Sequence, residues 1–402
     1  MMEKTARMKD FNFYAPTRVV FGREAEKQLP QLVSKAGGQH VMIVCGEGSA
    51  RRSGLLDEVI AMLTAAGFSR PALLEGVVPN PLLSKVREGI AMGRREGTDL
   101  ILAVGGGSVI DTAKAIAYGI GYDADVWDFW EGKATPQQCL PIGVVLTIPA
   151  AGSEMSSSCV ITNDEGLLKR GINSDLCRPR FAIMNPERTF TLPPYQTAAG
   201  ATDIMMHTME RYFSVYDEMT LTDALAEALL RTVRQCTPTV LAHPDDYRAR
   251  AQLMWAGALA HNDLTECGTE KDFATHRLEH ELSALFGVTH GAGLAALWPS
   301  WARYVMPRHQ ARFVQFAVNV MGVAPDWAHP EQTAEQGICE MERFYREIGM
   351  PTNIRELIGR DITDDEISLM VHKCSRGDTI TVGAFERLGI EEMKTVYQMA
   401  RG

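Results

Sequence analysis

The first half of the chain switches repeatedly between short β-rich runs and longer helical periods, and the apolar runs end in glycine or proline. Val41–Cys45 leads into Gly46-Glu47-Gly48-Ser49, and Leu55–Ala66 has helical spacing up to Gly67. Pro71–Val78 ends in Pro79-Asn80-Pro81, and Leu82–Glu96 is helical up to Gly97. Leu100–Val104 leads into Gly105-Gly106-Gly107-Ser108, Val109–Ile120 is helical, and Pro141–Ile148 ends in Pro149-Ala150-Ala151-Gly152-Ser153-Glu154. Strand–helix alternation of this kind predicts a parallel sheet covered by helices. Such sheets bind ligands beyond the C-terminal ends of their strands. The Gly-rich segments all stand at such ends.

After Asn185-Pro186 and Leu192-Pro193-Pro194 the pattern becomes helical, through Ala198–Val215, Thr222–Cys236, Tyr247–Asn262, Asp272–Phe286 and Gly291–Met306. With 402 residues the chain has the length of two domains. The Pro-rich stretch 186–194 predicts the division: an α/β domain over 1–190 and an all-helical domain over 191–402. The C-terminal helical stretches carry no chemical signal.

Charge narrows the partners. Forty Lys and Arg against fifty Asp and Glu give a formal charge of -10. That disfavours nucleic acid, whose binding needs a basic surface to neutralise phosphate. The eight cysteines include no C-x-x-C pair and no dense framework, which fits buried thiols in a reducing compartment. The opening MMEKTARMKDFNFY lacks the apolar core of a secretory signal, and no run of about 18 apolar residues is present to span a membrane. The expectation is a cytoplasmic protein without nucleic-acid or membrane partners.

Histidines crowd between 207 and 290, where His207 stands in helical register with Asp203 and His276 with His280. Asp203 and His207 are four apart in GATDIMMHTMERY and share one helix face, with Met206 and Glu210. His276 and His280 are four apart in HRLEHELSALFG. Leu278, Leu282, Leu285 and Phe286 form one stripe of that helix; His276, His280, Ser283 and Gly287 form the opposite one. His290 follows fourteen residues after His276. An i,i+4 pair alone is more often a hydrogen-bonded or solvated pair than a ligand set. Two pairs with His290 added point to one divalent ion, and imidazole plus carboxylate donors suit Zn2+ and Fe2+ alike.

The segment Ile101–Lys114 reads as strand, Gly-rich loop, helix. Glycines let a backbone approach a pyrophosphate closely, and a helix N-terminus offers unpaired N–H groups and a positive dipole end. The spacing is neither G-x-G-x-x-G nor a Walker loop. On its own it fits a nucleotide site or a tight βα turn equally.

Taken together, FNFYAPTRVVFG, VVPNP, AVGGGSVIDTAKAIA, LTIPAAGSE, the Lys169-Arg170 pair, GATDIMMH and HRLEHELSALFGVTHGAGLA resemble the iron-containing (group III) alcohol dehydrogenase family over nearly the whole chain. The resemblance implies a dehydroquinate synthase-like fold, with a Rossmann-like α/β dinucleotide domain, an all-helical metal domain, and metal and cofactor meeting in a cleft between them. It implies Asp203, His207, His276 and His290 as ligands of Fe2+ or Zn2+. It places the pyrophosphate loop at Gly105, Gly106, Gly107 and Ser108 with Asp111 nearby, and Asn80, Thr147 and Lys169 near the cofactor. His280 matches a histidine close to the metal and is the implied proton relay. It implies a homodimer, formed by a strand within Phe11–Phe21 pairing across a two-fold axis.

Two departures refine the resemblance. Much of the family carries P-T-T-x-G-T-x-S-E, whereas this chain has the shorter Pro149–Glu154, similar to the butanol dehydrogenase and broad aldehyde reductase branch. At the end of the first strand NAD-using members often carry Asp, and the butanol dehydrogenase branch often has Gly-Gly-Gly-Ser. This chain has Gly46, Glu47, Gly48 and Ser49. Glu47 could accept from ribose hydroxyls and repel a 2′-phosphate, while Arg51 and Arg52 act in the opposite direction, so NAD(H) and NADP(H) both stay open. The implied activity is hydride transfer between NAD(P)(H) and a small primary alcohol or aldehyde such as butanol or butanal. A glycerol- or diol-type dehydrogenase is the alternative on the same fold.

Overall fold

The computed structural model describes residues 8–216 and 218–402. Two compact units divide the chain. One comprises residues 14–192 and 245–262; the other comprises residues 8–13, 193–244 and 263–402.

The first unit is built on a parallel sheet. Its strands are β1 (Arg18–Phe21), β2 (Val41–Gly46), β3 (Ala72–Val77), β4 (Leu100–Gly105), β5 (Ile142–Leu146) and, after the hairpin β6 (Ser158–Asn163) and β7 (Leu168–Asn173), β8 (Phe181–Met184). The order is β1-β8-β5-β4-β2-β3, every neighbouring pair parallel. Helices α1 (Leu29–Lys35), α2 (Ser49–Arg52), α3 (Leu55–Ala65), α4 (Leu83–Glu96), α5 (Gly107–Gly119) and α6 (Asp128–Glu131) connect them. Alternate strand residues enter different cores. Met42, Val44, Ile101, Ala103 and Val144 pack with α4 and α5 residues such as Val86, Ile90, Ile110 and Ile116. Val41, Ile43, Leu100, Leu102 and Val145 pack with α1 and α3 residues such as Leu32, Val33, Leu56 and Val59. β4 is buried along its whole length because both its faces are covered.

The second unit is helical: α7 (Pro194–Tyr212), α8 (Thr220–Ala242), α10 (Ala274–Phe286), α11 (His290–Val305), α12 (Gln310–Asn319), α13 (Pro330–Glu347), α14 (Ile354–Ile358), α15 (Asp364–Cys374) and α16 (Ile390–Met399). The intervening α9 (Tyr247–Ala260) belongs to the α/β unit, where Trp255 meets Phe21 edge-on and Tyr247 lies under Arg23. α7 starts on a proline, whose missing N–H costs nothing in a first turn. It is buried on all sides from Thr197 to Tyr212, as a helix at the centre of a bundle must be. α8 runs past the predicted end at Cys236, through Pro238 to Ala242. On α10 the leucine stripe is only half realised: Leu278 and Leu282 are fully buried, while Leu285 and Phe286 are half-exposed.

Candidate metal centre and nucleotide loop

Three helices of the second unit bring the ligand types together. α7 carries Asp203 and His207, α10 carries His276 and His280, and α11 starts at His290. The close approach of α11 to α7 depends on Gly291: a Cβ there would lie 2.0 Å from the Ala199 carbonyl oxygen. Ligand atoms of Asp203, His276 and His290 lie within 4.8 Å of one another. His276 Nε2 is 3.7 Å and His290 Nε2 3.8 Å from Asp203 Oδ1. His207 stacks obliquely beside His276, ring centroids 4.5 Å apart, with its Nδ1 3.0 Å from the Asp203 backbone oxygen. His280 is half-exposed, with its ring 5.8 Å from that of His290, and its ligand atoms cluster with those of Glu279 and His290.

The donor set fits a metal ion. Asp203 Oδ1 and His276 Nε2 are buried and have no hydrogen-bond partner, a condition that folded proteins rarely leave in place. The 3.7 and 3.8 Å separations of the His276 and His290 Nε2 atoms from Asp203 Oδ1 are too long for hydrogen bonds, yet two ligands each ~2.1 Å from a tetrahedral ion stand about 3.4 Å apart. The other ring nitrogens are fixed by carboxylates. Glu210 Oε1 accepts from His276 Nδ1 at 2.8 Å and from the His276 backbone N–H at 3.0 Å. Glu279, fully buried, accepts from His290 Nδ1 and from Ser283 Oγ. Carboxylates behind imidazoles fix the ring tautomer and direct Nε2 toward a metal.

Electrostatics agree. Burial opposes the charge on Asp203, but His207 and His290 hold its carboxyl well below the usual range. Burial would lower the His276 imidazole, yet the neighbouring carboxylates of Asp203 and Glu210 carry it up to about 9. The pocket therefore calls for positive charge at the point where these atoms converge.

Phe273, just before α10, is a non-glycine residue in the left-handed region (φ 57°). Its ring lies 4.9 Å from that of His276 and under the buried Arg211 guanidinium. Asp272 accepts from the backbone N–H groups of Ala274, Ala384 and Phe385, tying the start of α10 to the C-terminal segment. Glu279, Phe273 and Asp272 carry no motif and were not legible from the sequence.

In the α/β unit the Gly-rich segments collect at one edge. β4 ends at Gly105, and α5 opens at Gly107 immediately beyond it. Thr147 follows the neighbouring β5 and donates its backbone N–H to Gly105 O at 3.1 Å. Gly46–Ser49 follow β2 on the other side. Asn80 follows β3 and accepts from Lys169 Nζ at 2.9 Å. Arg51 is held by Glu75 of β3 through two parallel bonds of 3.0 Å. Asp111 is turned inward: its carboxylate accepts from Ser153 Oγ at 2.6 Å and from the Val160 N–H at 3.0 Å. Both its oxygens are therefore engaged in holding the segment after β5.

Residues 16–186 match the sequence model for iron-containing alcohol dehydrogenase, and residues 197–401 match that for the C-terminal part of the Fe-containing alcohol dehydrogenase family. The chain belongs to the iron-containing alcohol dehydrogenase family. It is an oxidoreductase with the fold that the family resemblance implied. A probable NADH-dependent butanol dehydrogenase of Bacillus subtilis is 38% identical over 97% of this chain and 99% of its own length. An NADPH-dependent aldehyde reductase of Escherichia coli is 30% identical over 98% of this chain and 100% of its own. The crystal structure of NADH-dependent butanol dehydrogenase A from Thermotoga maritima superimposes with a TM-score of 0.94 at 34% identity, covering 98% of this chain and 100% of that one. A 1,3-propanediol dehydrogenase of Klebsiella pneumoniae is more distant, 29% identical over 86% of this chain and 88% of its own.

Proposed function

We propose that this chain is a metal-dependent dehydrogenase that interconverts small primary alcohols and aldehydes, butanol and butanal among them, with NADH as the favoured dinucleotide. The observation that carries the reading is the pair of buried, unpartnered donor atoms on Asp203 and His276, backed by carboxylates on Nδ1. Asp203, His207, His276 and His290 would hold Fe2+ or Zn2+. Gly105, Gly106, Gly107 and Ser108 would take the pyrophosphate at the α5 N-terminus, Gly46–Ser49 the adenosine ribose, and Asn80, Thr147 and Lys169 other parts of the cofactor.

When bound, the metal supplies a Lewis acid for the substrate oxygen, and the dinucleotide supplies or accepts the hydride. Glu210 and Glu279 hold the Nδ1 protons of His276 and His290, so that both rings keep Nε2 as the donor nitrogen. His280 takes the hydroxyl proton in oxidation and returns it in reduction, a task suited to a half-exposed imidazole beside His290. Two features support NADH. Glu47 stands at the β2 end, and Arg51, which would otherwise attract a 2′-phosphate, is engaged by Glu75.

The polar demands of a glycerol or diol substrate find less support, since the diol dehydrogenase relative is the more distant one. A homodimer in the cytoplasm is part of the proposal. Among the described residues β1 pairs only with β8, at the edge of the sheet, and the adjoining Phe11, Phe13 and Tyr14 are exposed. None of the eight cysteines is in a disulfide, and among the described residues no helix is long and apolar enough to cross a membrane.

The test is butanal reduction followed at 340 nm with Fe2+- or Zn2+-loaded protein. Activity with NADH exceeding that with NADPH is expected, together with loss of both metal and activity in His276→Ala. No absorbance change with either metal and either dinucleotide would remove the proposal. Light scattering reports the dimer separately.

A further inference from the structure

His261 lies among the crowded histidines but takes no part in the metal centre. It follows α9, the helix that compactness places in the α/β unit, and only 9% of its surface is exposed. Its Nδ1 lies 2.7 Å from the Ala151 carbonyl oxygen. A carbonyl can only accept, so Nδ1–H donates. We propose that His261 is a positioning residue for dinucleotide binding, holding the segment 147–152 as the wall behind the Gly105–Ser108 loop. The inference rests on the reading of that loop as the pyrophosphate site.

Contacts on both sides of the segment carry the argument. On the α9 side, Gly152 adopts φ +62°, and a Cβ there would meet Gly257 O at 2.6 Å and His261 Cβ at 2.7 Å. The end of α9 therefore sits directly on the segment, at a distance only glycine permits. On the loop side, Thr147 N–H is bonded to Gly105 O. A Cβ on Gly106 would lie 2.2 Å from Ile148 Cγ2, and one on Gly107 would lie 3.1 Å from Ala151 Cβ. Residues 147–151 thus touch the Gly loop along its length, and movement of Ala151 changes the surface against which the loop is set.

The downstream end of this segment is already tied to α5 itself. Asp111 holds Ser153 and Val160, and Lys114, fully buried, donates to Ser156 O at 3.0 Å and Ser158 O at 2.8 Å. Those ties come from the same helix that opens the nucleotide loop. His261 adds a tie from elsewhere in the sequence, at Ala151, the residue that lies against Gly107. A segment held by two elements is ordered before its ligand arrives, and loss of one tie is felt as weaker binding.

The experiment uses the metal-loaded full chain and three variants, His261→Leu, His261→Asn and His261→Ala. Leucine fills the space without a donor; asparagine restores an N–H near the Nδ1 position. NADH affinity is read from energy transfer between tryptophan and NADH, alongside KM and kcat for butanal reduction and metal content. His261→Leu is expected to raise the Kd and KM for NADH about tenfold, the effect of one lost buried hydrogen bond. Its kcat at saturating NADH and its metal content should stay within about twofold of wild type. His261→Asn should recover most of the affinity. NADH affinity unchanged in His261→Leu, a matched fall in kcat, or an asparagine variant as weak as the leucine one would overturn the inference. Should His261→Ala fail to fold, the leucine–asparagine comparison still decides. Wild-type protein that binds neither NADH nor NADPH would overturn the nucleotide-loop reading itself, and this inference with it. Wild-type binding matched by all three variants would overturn the inference alone.

Discussion

Glu279 shows how much of a site can rest on a residue without a motif. Its buried carboxylate fixes His290 Nδ1 and is itself fixed by Ser283. Glu279→Gln should lower metal affinity 10–100-fold with the far-ultraviolet spectrum intact, because the amide is a weaker acceptor and leaves the ring less basic. Competition with a coloured chelator measures this, and unchanged affinity would assign Glu279 to packing alone. Of the proposed ligands, Asp203 and His207 were legible because D-x-x-x-H places two donor types on one helix face. Glu210 was legible too, one turn beyond His207. Glu279 was not, since the partner it serves is on another helix and no spacing connects them. Asp111 taught the converse: its place beside the Gly loop suggested cofactor contact, but Ser153 and Val160 occupy its carboxylate. Glu154 makes a separate prediction. Burial pushes its carboxyl from 4.5 up to about 7, against the pull of Lys114. Below pH 4.5 both the folded and unfolded chains hold the proton. Between 4.5 and 7 the unfolded chain releases it first, so stability falls as pH rises, by about 3 kcal/mol in all. Glu154→Gln should therefore gain on wild type between pH 5 and pH 8 in urea unfolding, and an equal difference at both pH values would contradict the assignment.

Helices α7 and α11 must touch for the donors of Asp203 and His290 to converge. Gly291 is the contact, with no room for a side chain against the Ala199 carbonyl. That atom is backbone in a buried helix and cannot turn aside, so Gly291→Ala should move α11 outward. The expected outcome is a lower melting temperature together with substoichiometric metal, read by calorimetry and elemental analysis. Full metal content at wild-type stability would show that the helices have slack. The strands and helices of the first half were legible because buried parallel strands are continuous apolar runs bounded by glycine. The hairpin β6–β7 was not. Its strands read SCVITN and LKRGIN, half-buried and mixed in polarity, and its turn carries Leu167 in the left-handed region. Asn163-Asp164-Glu165-Gly166 marks a turn, but the period on either side does not announce a strand pair. α9 was legible as a helix but not in its allegiance. Its contacts with Phe21 and the Gly152 segment lie far away in sequence, where periodicity is blind.

Across the whole molecule, the proposed metal ligands and the proposed nucleotide loop belong to different compact units. Asp203, His207, His276 and His290 all fall within 193–244 and 263–402, while Gly46–Ser49, Asn80, Gly105–Asp111, Thr147 and Lys169 all fall within 14–192. Ligands that bind only the folded state stabilise what they touch in proportion to affinity and concentration. The two cofactors should therefore protect different parts of the chain from amide exchange. Chelating the metal should speed exchange in α7, α10 and the first turns of α11, with β4 and α5 unchanged. Adding NADH should slow exchange at 105–111 and 147–153, and, through α9, in the last turn before His261. The α9 response separates the two architectures most sharply. A helix that simply followed its sequence neighbours α8 and α10 would answer to the metal; a helix seated on the Gly152 segment answers to the dinucleotide. Exchange mass spectrometry on peptides covering 247–262 distinguishes them. Protection there that follows metal and ignores NADH would contradict the assignment of α9 to the nucleotide unit.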